Sequence, residues 1–189
     1  MLKKILLSLA SAVLLWQSYS LLIVIDKIES NSFWLLLFVA WIVNLFITGV
    51  FAFAGFAWPT QKAIPASYYI VKDTKRIKQV YTALRVDLFR KILLATLWKS
   101  EKQRAKHFDG KRSGITNLIV QSQKSEFGHL VPFVIACFVS LYLIGVGQYK
   151  LSALIFVVNI IGNLYPVLLQ RHHRMRIQAI AERHARRAV

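Results

Sequence analysis

The chain holds one cysteine, Cys137, so no intramolecular disulfide can form, and its place in an apolar run suits a small packing role. Acidic residues are scarce: 8 Asp and Glu stand against 25 Lys and Arg in 189 residues. None lies inside an apolar run of spanning length. That removes the helical carboxylates of a di-iron centre and the mid-membrane charges a transporter uses, and no inverted repeat is visible. A P-loop, a glycine-rich dinucleotide fingerprint and a nucleophile elbow are all absent. His129 is not followed by Asp four residues on, since that position is Phe133, so the common soluble acyltransferase motif is missing too. No nucleic-acid-binding motif accompanies the basic charge, and nucleic acid is not an expected partner. His172-His173, His107 and His184 read as parts of a basic surface, and neither a metal nor another cofactor is expected.

What is present is apolar and basic at once: 56% hydrophobic residues, mean hydropathy +0.48 and a formal net charge of +17. A soluble domain of this size seldom combines the two, so they must be segregated along the chain. Four runs, 5–25, 33–58, 129–148 and 151–170, are long enough to cross about 30 Å of hydrocarbon at about 1.5 Å per residue. The first continues to Ile25, longer than a signal-peptide core, and reads as an uncleaved span. Segment 59–128 carries 15 Lys and Arg against 5 Asp and Glu, and tail 171–189 carries 6 Arg against Glu182. Lys27 and Lys150 are the only cations in the two short connections. By the positive-inside rule both termini and the middle segment are expected in the cytoplasm, the chain being multi-pass in a bacterial-type inner membrane. Anionic lipid headgroups are then the expected partners of the basic charge.

The expected fold is an all-α integral membrane protein, a single membrane domain over 1–189. It has four transmembrane helices and an amphipathic interfacial helix on the cytoplasmic side. Asn44, Thr48, Gly49 and Gly55 give the second span the small and polar residues of close helix packing, and Gln17 in the first span is expected to bond to another helix. Ile77, Val80, Tyr81, Leu84, Leu88, Ile92 and Leu93 recur at helical spacing among Lys78, Arg85, Arg90 and Lys91. They predict one amphipathic helix ending near Trp98-Lys99, lying at the inner leaflet or, since 92–98 is nearly all apolar, re-entering it. Residues 100–124 are polar, with Gly110 and Gly114 as turn signals, and predict a loop.

The chemistry gathers at two places. In Asn163-Leu-Tyr-Pro-Val-Leu-Leu-Gln-Arg-His-His-Arg-Met-Arg176 and the turn before it, the residues Asn159, Asn163, Pro166, Gln170, His173 and Arg174 fall on one side of a helix. Polar side chains at membrane depth are costly and mark sites. Pro166 deletes one helical hydrogen bond, that of the Gly162 carbonyl, and predicts a kink. The other place is Ser125-Glu-Phe-Gly-His129, where Glu126 and His129 are spaced to share a helix face. Counted outward from the short turn 147–150, His129 and Gln170 lie at similar depth, which brings the two clusters to one end of the bundle. A carboxylate beside an imidazole is the arrangement of a general base, and an interfacial ion pair with a neighbouring Lys or Arg is the plainer alternative.

These residues carry a resemblance. Glu126-Phe-Gly-His129, with the Asn163-x-Tyr-Pro-x-x-x-Gln-Arg-x-x-Arg174 element, resembles the small membrane acyltransferases of the glycosyl-diaponeurosporenoate acyltransferase family. Trp98-Lys99 is similar to that family's Trp-Lys segment, although Ser100-Glu101-Lys102 follows where the family has Leu-Pro. The similarity runs over about 81–177. It implies transfer of a fatty acyl group to a hydroxyl of a lipid or glycolipid, such as a carotenoid glycoside. His129 is then the expected base, oriented by Glu126, and Asn163, Tyr165 or Gln170 the expected oxyanion donors. Arg171, Arg174 and Arg176 suit the phosphates of an acyl-CoA or phospholipid donor, and Trp98 and Lys99 would cap the site. The alternative is a non-enzymatic membrane protein that binds anionic lipid or assists assembly.

Overall fold

The computed structural model describes residues 1–96 and 112–186, with side chains for 1–96 and 117–179. Its elements are α1 (Leu2–Val24), α2 (Phe33–Ala57), α3 (Thr74–Ala83), α4 (Val86–Thr96), α5 (Arg112–Gly145), α6 (Tyr149–Asn159) and α7 (Tyr165–Arg186). Short 3-10 turns occupy Ile25–Lys27, Thr60–Ala63 and Ala66–Tyr69, and a π-turn, Ile160–Leu164, joins α6 to α7. Among the described residues there is no strand. Four helical stretches are long and apolar enough to cross a membrane: Leu2–Lys27, Phe33–Ala57, Asn117–Gly145 and Tyr149–Ala179. The protein is an all-helical membrane protein. It divides into two compact units, one of Met1–Thr60 with Phe127–Pro166 and one of Gln61–Glu126 with Val167–Val189.

The first unit is built on two hairpins. Ser32 caps α2 by accepting from the Leu35 amide at 3.4 Å, and α1 lies against α2 through Ser11, whose hydroxyl donates to the Val50 carbonyl at 2.8 Å. A Cβ on Gly49 would come within 2.5 Å of Leu14 Cδ1, so glycine here lets the two helices approach closely. At the far end of α2, Trp58 donates to Ser8 at 3.0 Å and lies under Lys4. Gln17 is exposed rather than turned toward a second helix. The second hairpin closes on Gly147, at φ +83: its amide donates to the Ile144 carbonyl, and the Gln148 amide donates back to Leu143 at 2.8 Å. This pair of bonds satisfies the last carbonyls of α5 and needs a left-handed residue, which glycine supplies without strain.

The core joins Ile25, Leu36, Ala40, Val43 and Ile47 to Val139, Leu143, Leu151 and Ile155, so α2 sits against α5 and α6. Polar bonds pin the packing in an environment without water to replace them. Asn44 donates to the Ala40 and Ile155 carbonyls at 2.9 and 3.2 Å, and Ser152 donates to the Ser140 carbonyl at 2.8 Å.

The second unit departs from expectation in two respects. The single amphipathic helix is two, because Arg85 adopts φ 49, a left-handed conformation that interrupts the helical ladder after Leu84. No glycine or proline marks the break in the sequence. Asp73 caps α3 by accepting from the Arg76 amide at 2.9 Å. In α4, Arg90 binds Asp87 at 2.8 Å and holds its carboxyl below the ordinary carboxylate value. Val80, Leu84, Leu88 and Ile92 remain exposed. The expected loop over 100–124 is helical from Arg112 onward, since α5 starts well before its apolar stretch. The basic tail continues α7 as helix to Arg186.

Candidate functional site

Each unit carries one polar cluster. In the membrane-spanning unit the cluster is a chain of amides ending on an imidazole. His129 stands on α5 half-buried, its Nδ1 3.2 Å from Asn163 Oδ1. Thr48 of α2 donates to that same oxygen at 3.0 Å. Asn163 Nδ2 donates to Asn159 Oδ1 at 2.9 Å, and Asn159 Nδ2 donates to the Phe133 carbonyl at 2.9 Å, with Cys137 Sγ at 3.6 Å. Asn159 is 0% exposed and Asn163 1%.

The local backbone explains how two amides come to point the same way. Pro166 has no N–H for the Gly162 carbonyl four residues earlier, so the α-helical ladder loses one bond at this point. The chain widens into a π-turn, in which the Tyr165 amide donates to the Ile160 carbonyl five residues back, and then resumes as α7. This turn stands where a kink beside the amides was expected. It holds Asn163 buried.

In the second unit the cluster is a buried carboxylate between two guanidinium groups. Glu126 is 0% exposed; Oε1 accepts from Arg171 Nε at 2.8 Å and Oε2 accepts from Arg174 Nη2. Residues 171 and 174 share a face of α7 at i, i+3, which lets one carboxylate serve both. Arg171 lies over the Tyr68 ring at 4.5 Å and Arg174 over Tyr69 at 5.1 Å, cation–π contacts that shield the pair from water. Arg174 is 1% exposed, and its Nε and Nη1 have no partner among the described residues. A buried guanidinium edge is costly unless an acceptor meets it. His172 stacks on Tyr81 with centroids 4.0 Å apart, and the Ser122 hydroxyl donates to the main-chain carbonyl of Gln170 at 3.3 Å.

Tyr69 donates its hydroxyl to the Gln61 carbonyl at 3.1 Å. Burial pushes its phenol above the ordinary 10.0, with the Arg174 charge opposing. A phenol raised in the folded state stabilises the fold below pH 10 and loses that contribution as pH rises through its folded value. In an alkaline ultraviolet titration, the phenolate signal lost between wild type and Tyr69→Phe should therefore have its midpoint above the ordinary 10.0. A Tyr69 component titrating at or below pH 10 would refute the burial.

The expected site residues are thus sorted anew. Glu126, expected to orient the imidazole, has both oxygens on arginines, and Asn163 takes the Nδ1 edge instead. Asn163, expected as an oxyanion donor, directs an amide hydrogen to Asn159. Tyr165 is half-buried at the start of α7, and Gln170 is half-buried near Ser122. Arg171 and Arg174 are at the carboxylate, while Arg176 is exposed. Trp98 and Lys99 lie outside the described residues. Thr48, Tyr68 and Tyr69 were missed as site residues. Thr48 reads as a packing residue in an apolar helix, and a tyrosine pair before a basic stretch reads as an interfacial belt. Among the described residues no three His, Cys, Asp or Glu side chains gather as metal ligands would.

The two clusters thus lie in a multi-span, all-helical membrane protein. The chain belongs to the glycosyl-4,4'-diaponeurosporenoate acyltransferase family, whose model matches residues 65–183. That range includes His129, Asn159, Asn163, Glu126, Arg171 and Arg174. No curated protein and no solved structure matches the chain.

Proposed function

We propose that the protein transfers a fatty acyl group to a hydroxyl of a membrane lipid or glycolipid, with a carotenoid-glycoside-like acceptor. The reaction is placed at the cytoplasmic face of a bacterial-type inner membrane, with both termini inside. Family membership supports acyl transfer. The observation that carries the assignment to residues is the half-buried His129 ring, held at Nδ1 by a fully buried amide.

The reading has two parts, each resting on one unit. In the first, His129 takes the proton of the acceptor hydroxyl as its oxygen attacks the acyl carbonyl. The new carbon–oxygen ester bond forms, the bond from the acyl carbon to the donor's sulfur or oxygen breaks, and the proton passes to that leaving atom. Tyr165 is the candidate donor to the developing oxyanion in this unit. In the second, Arg171 and Arg174 hold a phosphate of an acyl-CoA or phospholipid donor, with Glu126 keeping the paired guanidinium groups in place. Arg176 supplies further positive charge from the surface. The exposed apolar residues of α3 and α4 rest in the headgroup layer.

The edge of Arg174 that meets no partner among the described residues also favours a second reading, an anionic-lipid-binding protein without catalysis. Mass spectrometry of lipids from cells with and without the protein separates the two. A lipid heavier by one fatty acyl unit, made only when the protein is present, supports transfer and identifies the acceptor. No such lipid in a host with the native acceptor would leave the binding reading.

A further inference from the structure

We infer that Asn159 and Asn163 form a positioning relay that sets the tautomer of His129, placing its proton on Nδ1 and leaving Nε2 as the proton acceptor. The catalytic consequence rests on the reading of His129 as base; the tautomer itself does not.

The direction of every bond follows from one atom that cannot change roles. The Phe133 carbonyl oxygen only accepts, so the Asn159 atom 2.9 Å from it is the amide NH2. The other side of Asn159 is therefore its oxygen, and it faces Asn163 at 2.9 Å. Asn163 must meet that oxygen with its own NH2, which turns its oxygen toward His129 and Thr48. An amide oxygen has no proton to give. The Nδ1 atom 3.2 Å away must carry one, and a neutral imidazole then has its lone pair on Nε2. Thr48 is a hydroxyl that can donate or accept, so it follows the relay rather than setting it.

Burial makes the direction stiff. With Asn159 0% and Asn163 1% exposed, water is not at hand to serve a flipped amide. Turning either one would set oxygen against oxygen or leave a buried donor unmet, the expensive outcome for a polar group out of water. The competing arrangement is equally concrete. A proton on Nε2 would leave the Nδ1 lone pair against the Asn163 oxygen and Nε2 unable to act as a base. Asn159 touches no substrate in this scheme; it acts on the reaction through Asn163 and the imidazole, as the carboxylate behind a catalytic or metal-bound histidine does.

The test reads the tautomer directly. The full-length protein is labelled with 15N and 13C histidine and reconstituted in lipid nanodiscs, with His129 signals assigned by their loss in His129→Gln. A pyridine-like Nε2 with a protonated Nδ1 at alkaline pH is the expected result. A protonated Nε2 overturns the relay, whatever the activity. Asn159→Leu should raise the Nε2–H population and lower kcat by about tenfold or more at unchanged acceptor KM. Thr48→Val should keep the wild-type tautomer. A loss of kcat in Asn159→Leu with the tautomer unmoved also overturns it. If His129→Gln retains full turnover while the Nδ1–H tautomer is found, the assignment of the base fails and the tautomer stands.

Discussion

His129→Gln should lower acyl transfer by about 10²–10⁴-fold, the contribution of a positioned general base, while the protein still inserts. Glutamine keeps a polar side chain of similar reach and can still meet the Asn163 oxygen with its NH2. It has no atom that accepts and releases a proton near neutral pH, so the loss is one of chemistry rather than packing. The measurement is the initial rate of acylated lipid formation in membranes holding equal amounts of each protein. A rate within fivefold of wild type would remove His129 as the base and leave the proton transfer to another group.

The second large effect is on stability. Glu126→Ala should destabilise the second unit by about 3–5 kcal/mol, the cost of leaving a buried partner charge uncompensated. The carboxylate is 0% exposed, Arg174 is 1% exposed, and Arg171 draws on the same group. Removing the anion leaves Arg174 with no charge partner among the described residues and three nitrogens to satisfy. Replacing both members, Glu126→Leu with Arg174→Met, should recover much of the loss, because an apolar pair avoids the desolvation that the ion pair had to offset. Chemical unfolding in detergent, followed by the accessibility of a reporter in this unit, measures both. A Glu126→Ala protein as stable as wild type would mean the buried ion pair contributes nothing. An anionic lipid probe that restores the single mutant less than it stabilises wild type would show Glu126 shaping the anion site.

Legibility from sequence differed by residue for identifiable reasons. The chain's membrane character and its four spans could be read from run length, since about twenty apolar residues have few other uses. The first two spans were close to their structural bounds. The third was read as starting at His129, but α5 begins at Arg112, because polar residues can occupy the first turns of a long helix without stopping it. Asn44, Asn159 and Asn163 were recognisable as internal polar residues from the cost of burying an amide, and all three are buried and bonded. Gln17, judged by the same rule, is exposed, since the rule says what a polar side chain needs and not where it points. The split of α3 from α4 at Arg85 carried no turn residue and could not be anticipated.

By itself, the sequence determined the class of the protein, the family resemblance and the residues worth watching, because hydropathy, charge and motif spacing are properties of the chain as written. Only the tertiary structure decided their pairing. Glu126 and His129 are three residues apart, and spacing made them partners. The fold brings Arg171 and Arg174, some 45 residues on, to the carboxylate, and Asn163 to the imidazole. A full guanidinium charge binds a buried carboxylate more strongly than a neutral ring does, so the arginines hold it wherever folding lets them reach. The tautomer of His129 is more remote still from sequence. It depends on which way two buried amides face, and that follows from the position of one main-chain carbonyl at Phe133.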